Sequence, residues 1–363
     1  MIIGKLSIII YNITYKIKFS MVLRMELAMY TVYDYLKYYK NTSLSEVKWN
    51  SLDSLMCAIL AYLPVSSFVD VKSINELYDY ALNFKKDFPS VMIPMAYEVL
   101  ELIKDSKRYE KLETSNFINI LTNETQFGAV TFRINLDTII SFKGTDNSMI
   151  GWLENCRLIY EYPTYTQKKA IDYLDKNINF FDNNVYVVGH SKGGNLAMVG
   201  SMESKKFKKI KKIYNFDGPG FRNEEYNSLK YEKLKTKLIN ILPSSSVVGT
   251  ILNNDNYIVV ASDKLAFNQH YPTSWNIFGQ YFIEDKFSKS AVEFHEWILG
   301  LEKLDKEKLK QVIESFFESF GKEYTSAFKF NLSDIRTFVK NAKNIDDDTA
   351  NYLITIIENM FSN

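Results

Sequence analysis

The chain of 363 residues has room for one large domain with appendages or for two, and its 46% hydrophobic and 15% aromatic content supports a substantial core. A formal net charge of +1 excludes a global field that would recruit nucleic acid or an anionic membrane. Two cysteines, Cys57 and Cys156, supply neither a metal quartet nor a disulfide framework, and this usage fits a reducing cytoplasm.

Residues 1–28 are expected to form a weakly structured extension. Leu6–Ile10 is apolar, but Tyr11, Asn12 and Thr14 interrupt it, so the run is too short to span a membrane. It also lacks the longer apolar region and small-residue cleavage site of an export signal. Met25 and Met29 are candidate starts. The expected location is the cytoplasm, with export through a degenerate signal as the competing reading.

Residues 29–125 are expected to form a helical N-terminal segment packed on the core. In SLDSLMCAILAYLP, Leu52, Leu55, Met56, Ile59 and Leu63 recur at helical spacing, with Ser51 as the expected cap and Pro64 as the stop. Residues from about Ile74 to Lys107 read as helical again, with interruptions near Pro89 and Pro94. The period then changes, and residues 126–287 are expected to be the core. GAVTFRI and TIISFKG are short, β-branched and aromatic, and Asn135-Leu136-Asp137 separates them as a hairpin turn would. Gln167 to Phe181 reads as a helix leading into a strand at Val185–Val188. IKKIYNF, KLINIL and YIVVAS read as further strands. Strands alternating with helices predict a mostly parallel sheet covered on both faces. Residues 288–363 are expected to be helical, in EFHEWILGLEKL, KEKLKQVIESFFESF and TANYLITIIENMF, with breaks at Gly300, Asp305 and Gly321.

The strand at Val185–Val188 runs directly into Gly-His-Ser-Lys-Gly-Gly, and a small-residue segment follows. G-x-S-x-G between a strand and a helix is the pattern of a nucleophile elbow. The serine, Ser191, sits on a tight turn there, and Gly189 and Gly193 relieve the crowding around it. Gly194, Ala197, Gly200 and Ser201 let the following helix approach the sheet, with its N–H groups aimed at the serine. A plain structural turn is the competing reading.

A nucleophilic serine needs a base and an orienting carboxylate. Of three histidines, His190 adjoins Ser191 and should point away from the site, and His295 lies on an amphipathic helix. His270, in NQHYPTSW after the strand YIVVAS, is the expected base. The acid is open. The loop after KLINIL carries PSSSVVG and no carboxylate. Asp217, ending IYNFDGPG, lies at the expected edge of the sheet, an Asp-Gly turn being its competing reading. Asp263 is a second candidate, and Ser244 to Ser246 could contact His270 in a reduced triad. The oxyanion donors expected are the backbone N–H of Lys192 and, after the strand TIISF, the N–H and hydroxyl of Thr145, where Gly144 permits a close approach.

FKGTDNSMIGW, GHSKGG, NFDGPGF and HYPTSW together resemble the α/β-hydrolase superfamily, specifically the class 3 (fungal-type) lipases, and more closely a bacterial lipase-like branch. The resemblance covers the chain from about Met29 to the C-terminal helices. It implies an α/β-hydrolase fold with a mostly parallel central sheet, flanking helices and helical N-terminal and C-terminal additions. It implies Ser191 as nucleophile, His270 as base, and Thr145 and Lys192 as oxyanion donors. Asn147 to Ile159 would occupy the position of the lipase lid helix, with Met149 and Trp152 facing a substrate cleft. Two departures stand out: Lys143 replaces the usual arginine, and serines occupy the acid position after KLINIL.

The function expected is a serine hydrolase cleaving carboxylic esters of a lipid or small-molecule acyl substrate, with no metal or organic cofactor implied. A thioesterase or peptidase would use the same residues. A catalytically weak hydrolase fold serving as a binding or scaffold module is the competing class. The basic run Lys205–Lys212 raises weak membrane-surface contact, against a solvated helix end whose lysines suit the helix dipole.

Overall fold

The computed structural model describes residues 30–65, 70–84, 90–301, 305–318, 323 and 325. Four helices come first: α1 (Val32–Tyr39), α2 (Ser51–Leu60), α3 (Ile74–Leu82) and α4 (Met92–Ile103). Every α2 residue from Leu52 onward is buried, the apolar ones in the core between layers and Asp53 through its ion pair with Arg108. Its cap is Asn50 rather than Ser51: the Asn50 side chain accepts from the amides of Leu52 and Asp53. Pro94 does not interrupt α4. It occupies the first turn, where a missing N–H costs no hydrogen bond. Pro89 lies outside the described residues.

The central sheet has seven strands in sequential order: β1 (Glu113–Leu121), β2 (Gln126–Ile134), β3 (Asp137–Phe142), β4 (Asn184–His190), β5 (Ile210–Phe216), β6 (Leu238–Pro243) and β7 (Tyr257–Val260). The first three are antiparallel, and β3 to β7 are parallel. β1 was not anticipated. A register shift between Ser115 and Ile118, with Asn116 at φ 55°, breaks the alternation that marks a strand.

Between the parallel strands lie α5 (Met149–Arg157) and α6 (Tyr165–Asn177), α7 (Lys192–Glu203), and then the short α8 (Asn223–Tyr226) and α9 (Leu229–Lys235). The strand residues divide by the two-residue period of the pleat. Val130, Phe132, Ile139 and Val188 join α1 to α4 in one core. Phe127, Ala129, Ile140, Phe142, Val185 and Val187 join α6 and α7 in the other. The N-terminal helices therefore form one full layer over the sheet. After β7 come a small hairpin, β8 (Ile277–Phe278) and β9 (Tyr281–Phe282), and helices α10 (Lys289–Leu301) and α11 (Lys306–Glu318). Gly300 does not break α10, which runs to Leu301, whereas Asp305 does stand at a boundary and accepts the Lys308 amide at 2.9 Å. TANYLITIIENMF and residues 1–28 lie outside the described residues. This is the expected α/β-hydrolase fold: a mostly parallel sheet flanked by helices, with the serine turn at the carboxyl end of its central strand.

Candidate active site

His190 pairs with Phe216 in the β4–β5 ladder, so the residues that follow them, Ser191 and Asp217, emerge side by side from one edge. The Ser191 amide donates to the Phe216 carbonyl at 2.9 Å. Ser191 takes φ 58° and ψ −135°, a region that costs a non-glycine residue roughly 1–3 kcal/mol and persists only where its surroundings enforce it. The enforcement is visible. A Cβ on Gly193 would collide with the Phe142 carbonyl of β3, and one on Gly189 would collide with the Gly193 main chain. Helix α7 therefore starts at van der Waals limit against the sheet, with the Lys192 amide first in its opening turn and the Gly194 amide donating back to the Ser191 carbonyl at 2.8 Å.

His270 closes a short helical turn, Ala266–His270, in the loop after β7. Its Nδ1–H donates to Asp217 Oδ2 at 2.6 Å. Asp217 is fully buried and also lies at positive φ, 51°. Asn215 builds that turn, accepting the Gly218 amide at 2.9 Å and donating to the Gly218 carbonyl at 3.0 Å. The other Asp217 oxygen accepts from the Ser246 hydroxyl and from the Gly249 amide at 3.1 Å. The serines after β6 thus do not touch His270 in place of an acid. Ser246 holds the carboxylate, while the Ser244 hydroxyl and the Ser245 amide hold Gln269, next to His270, at 3.2 and 2.8 Å. Asp263 is exposed, and its amide bonds the Ser274 carbonyl.

His190 is fully buried, and rather than pointing away from the site it packs against His270. Its Nε2–H donates to the His270 carbonyl at 2.8 Å, its Nδ1 accepts from the Tyr62 hydroxyl at 3.0 Å, and its ring lies 4.6 Å from that of His270. Burial holds its pKa well below the ordinary 6.5, the neighbouring His270 adds to this, and the bond to the His270 carbonyl opposes it. His295 docks α10 instead, with Nδ1 2.8 Å from the Thr250 carbonyl.

Gly144 passes directly against the Ser191 turn: a Cβ there would stand 2.6 Å from the His190 carbonyl and 3.0 Å from Ser191 Cβ. Thr145 follows, half-buried, its hydroxyl accepting from Asn155 Nδ2 at 2.9 Å. Lys143 pairs with Asp146 at 3.3 Å. Burial works against the Asp146 charge, but the Lys143 ammonium, Ser148 and the Lys192 ammonium hold its carboxyl below the ordinary range.

The Lys192 side chain was not foreseen to matter. It is 1% exposed, and its ammonium bonds Gln126 O at 2.8 Å, Gln126 Oε1 at 2.6 Å and Glu154 Oε2 at 2.7 Å. Only the lysine's place inside the elbow motif hinted at this; nothing in the sequence singles out Gln126 or Glu154. On α5, Met149 is buried, and the half-buried Trp152 donates Nε1–H to Asn147 Oδ1 at 3.0 Å. Burial, then Glu314, pushes the Cys156 thiol up to about 12, which removes it as a nucleophile.

Lys205–Lys212 begins just past the C-cap of α7, Ser204. It passes from a short helical turn, Phe207–Lys209, into β5, and Lys209 caps the Phe180 and Asp182 carbonyls at the opposite edge of the sheet. Among the described residues, no helix is long and apolar enough to cross a membrane.

Comparison with known proteins gives a family and distant likenesses to solved structures, two of them lipases. A Rhizomucor miehei lipase, solved as a propeptide complex, is 14% identical with a TM-score of 0.36, the match covering 51% of this chain and 66% of that one. The M37 lipase is 13% identical with a TM-score of 0.37, over 85% of this chain and 94% of that one. The chain spans just under two thirds of the length of the first of these. No curated protein matches. The Mbeg1-like family model matches residues 103–318, from the end of α4 through the sheet and the candidate site to α11, and the chain belongs to the Mbeg1-like family.

Proposed function

We propose that the protein is a serine hydrolase that cleaves carboxylic esters through an acyl-enzyme on Ser191. The observation that carries this reading is the 2.6 Å contact between His270 Nδ1 and the buried Asp217 carboxylate, beside a serine held at φ 58°. With Nδ1 committed to Asp217, the Nε2 lone pair of His270 is the one left to accept a proton. Ser191 Oγ attacks the acyl carbonyl as His270 Nε2 takes its proton. The oxyanion is met by the N–H groups of Lys192 and Thr145 and by the Thr145 hydroxyl. His270 then protonates the leaving alkoxide, and water, activated by the same imidazole, releases the acid.

Asp217 would hold the imidazole in the working tautomer and stabilise its protonated form. Placing the acid after β5 dispenses with a carboxylate after β6, and Ser246 supports Asp217 instead. A panel of p-nitrophenyl esters of graded acyl length, with a thioester and a peptide anilide beside them, tests the reading. Turnover of at least one ester is expected, with a loss on the order of 10⁴–10⁶-fold in Ser191→Ala. Turnover equal in wild type and Ser191→Ala would leave the fold as a binding or scaffold module.

A further inference from the structure

Lys192 lends its amide to the site but sends its side chain away from it, into a fully buried cluster. All three ammonium hydrogens are used, on Gln126 O, Gln126 Oε1 and Glu154 Oε2. Glu154 is itself satisfied by the Thr125 hydroxyl at 2.8 Å and the Gln126 amide at 3.3 Å. Burying an ion pair is costly, and a hydrophobic pair of the same volume would be at least as stable. The pair therefore needs a reason other than stability.

The reason lies at the other end of Gln126. With Oε1 fixed by the ammonium, Nε2 donates to the Gly144 carbonyl at 3.1 Å. That carbonyl belongs to the Gly144–Thr145 peptide, whose N–H is the second oxyanion donor of the proposed reaction. In a trans peptide the C=O and N–H point in opposite directions. A donor on the carbonyl therefore fixes where the Thr145 N–H points, and it polarises that N–H as hydrogen-bonded chains do.

We propose that Gln126 is a positioning residue for the oxyanion site, and that the Lys192–Glu154 pair sets its amide. This rests on the esterase reading above. One continuous chain, Glu154–Lys192–Gln126–Gly144, then joins both backbone donors, since Lys192 supplies one N–H and the Gly144–Thr145 peptide supplies the other. The sequence needs this device because Thr145 lies in a loop with no regular ladder to orient its peptide.

Gln126→Glu and Gln126→Met test it in the full-length protein. The first keeps an acceptor for Lys192 and loses the donor to Gly144; the second loses both. The readouts are kcat and KM for a p-nitrophenyl ester and the Ki of phenylboronic acid, whose serine adduct is tetrahedral and anionic. Each variant is expected to lose about 10–10²-fold in kcat with KM unchanged, and to weaken phenylboronic acid by a similar factor. A purely structural role would lower the active fraction without moving Ki. If Gln126→Met does not fold, Gln126→Glu alone decides. Ki and kcat within twofold of wild type would overturn the proposal and leave the esterase reading intact. A wild type with no Ser191-dependent hydrolysis or boronate binding would overturn both.

Discussion

His190 fastens the main chain of His270: its ring donates to the His270 carbonyl at 2.8 Å while accepting from Tyr62 at 3.0 Å. The residue before the proposed nucleophile thus holds the backbone of the proposed base. This role requires a neutral imidazole, because Nδ1 must accept. Burial raises the Tyr62 phenol pKa, so Tyr62 keeps its hydrogen to donate.

A pH signature follows. The unfolded chain takes a proton on residue 190 below about pH 6.5, the ordinary histidine value, and the folded chain, with that pKa depressed, does not. The stability is complete above that value and falls as pH drops, by up to ~1.4 kcal/mol per pH unit, until the folded imidazole itself protonates. Urea midpoints between pH 7.5 and 5 are expected to fall more steeply in wild type than in His190→Gln. Equal slopes would show that residue 190 titrates alike in both states.

The proposed acid, Asp217, is tested by contrast. Asp217→Asn keeps the shape of the site but favours the wrong imidazole tautomer, and it is expected to lower kcat by roughly 10³–10⁴-fold. Ser246→Ala, which removes one of several donors to that carboxylate, is expected to cost no more than about tenfold. Asp263→Asn is expected to leave turnover at wild-type level. Ester kinetics on the three proteins settle the order, and a dead Asp263→Asn with an active Asp217→Asn would reverse the assignment.

The elbow was legible because chemistry and sterics there coincide in adjacent residues: the glycines around Ser191 are required by contacts with β3 and with the turn itself. The six strands from GAVTFRI to YIVVAS were legible by their period and composition. Asp217 was harder, since Asp-Gly reads equally as a turn. It proves to be a turn that also carries a buried carboxylate, and the Asn215 brace that makes both possible is a three-dimensional fact. β1 was hidden by its bulge. The Lys192–Glu154–Gln126 cluster was hidden because its members lie 28 to 66 positions apart, and no period or motif links them.

Helix α5 is tied down by two ion pairs. Glu154 on α5 pairs with Lys192 under the elbow, and Arg157 at its end pairs with Glu314 of α11 at 2.8 Å, which Tyr160 also reaches at 2.8 Å. An α5 held by these two pairs is expected to stay in place during turnover. Hydrolysis of a soluble ester is expected to rise hyperbolically with concentration and show no jump where the substrate aggregates. A sharp jump at that point would mean that α5 swings away.

One buried pair in the N-terminal layer should be costly to break by removing a single partner. Arg108 bonds both oxygens of Asp53, at 2.9 and 2.6 Å, with Tyr35 and Tyr109 on the same carboxylate at 3.0 and 2.6 Å. Both charged side chains are fully buried. Asp53→Ala leaves the guanidinium unpaired and is expected to cost about 3–5 kcal/mol in urea unfolding. Asp53→Leu combined with Arg108→Met is expected to cost less than the sum of the two single changes. A strictly additive pair would contradict this account.

The most direct measurement is covalent. A fluorophosphonate probe should attach to wild type at the peptide containing Ser191, as read by mass spectrometry. It should fail on Ser191→Ala and react at least about tenfold more slowly with His270→Ala, whose base is gone. A wild type that stays unlabelled, or a label mapped to any residue other than Ser191, would contradict the account.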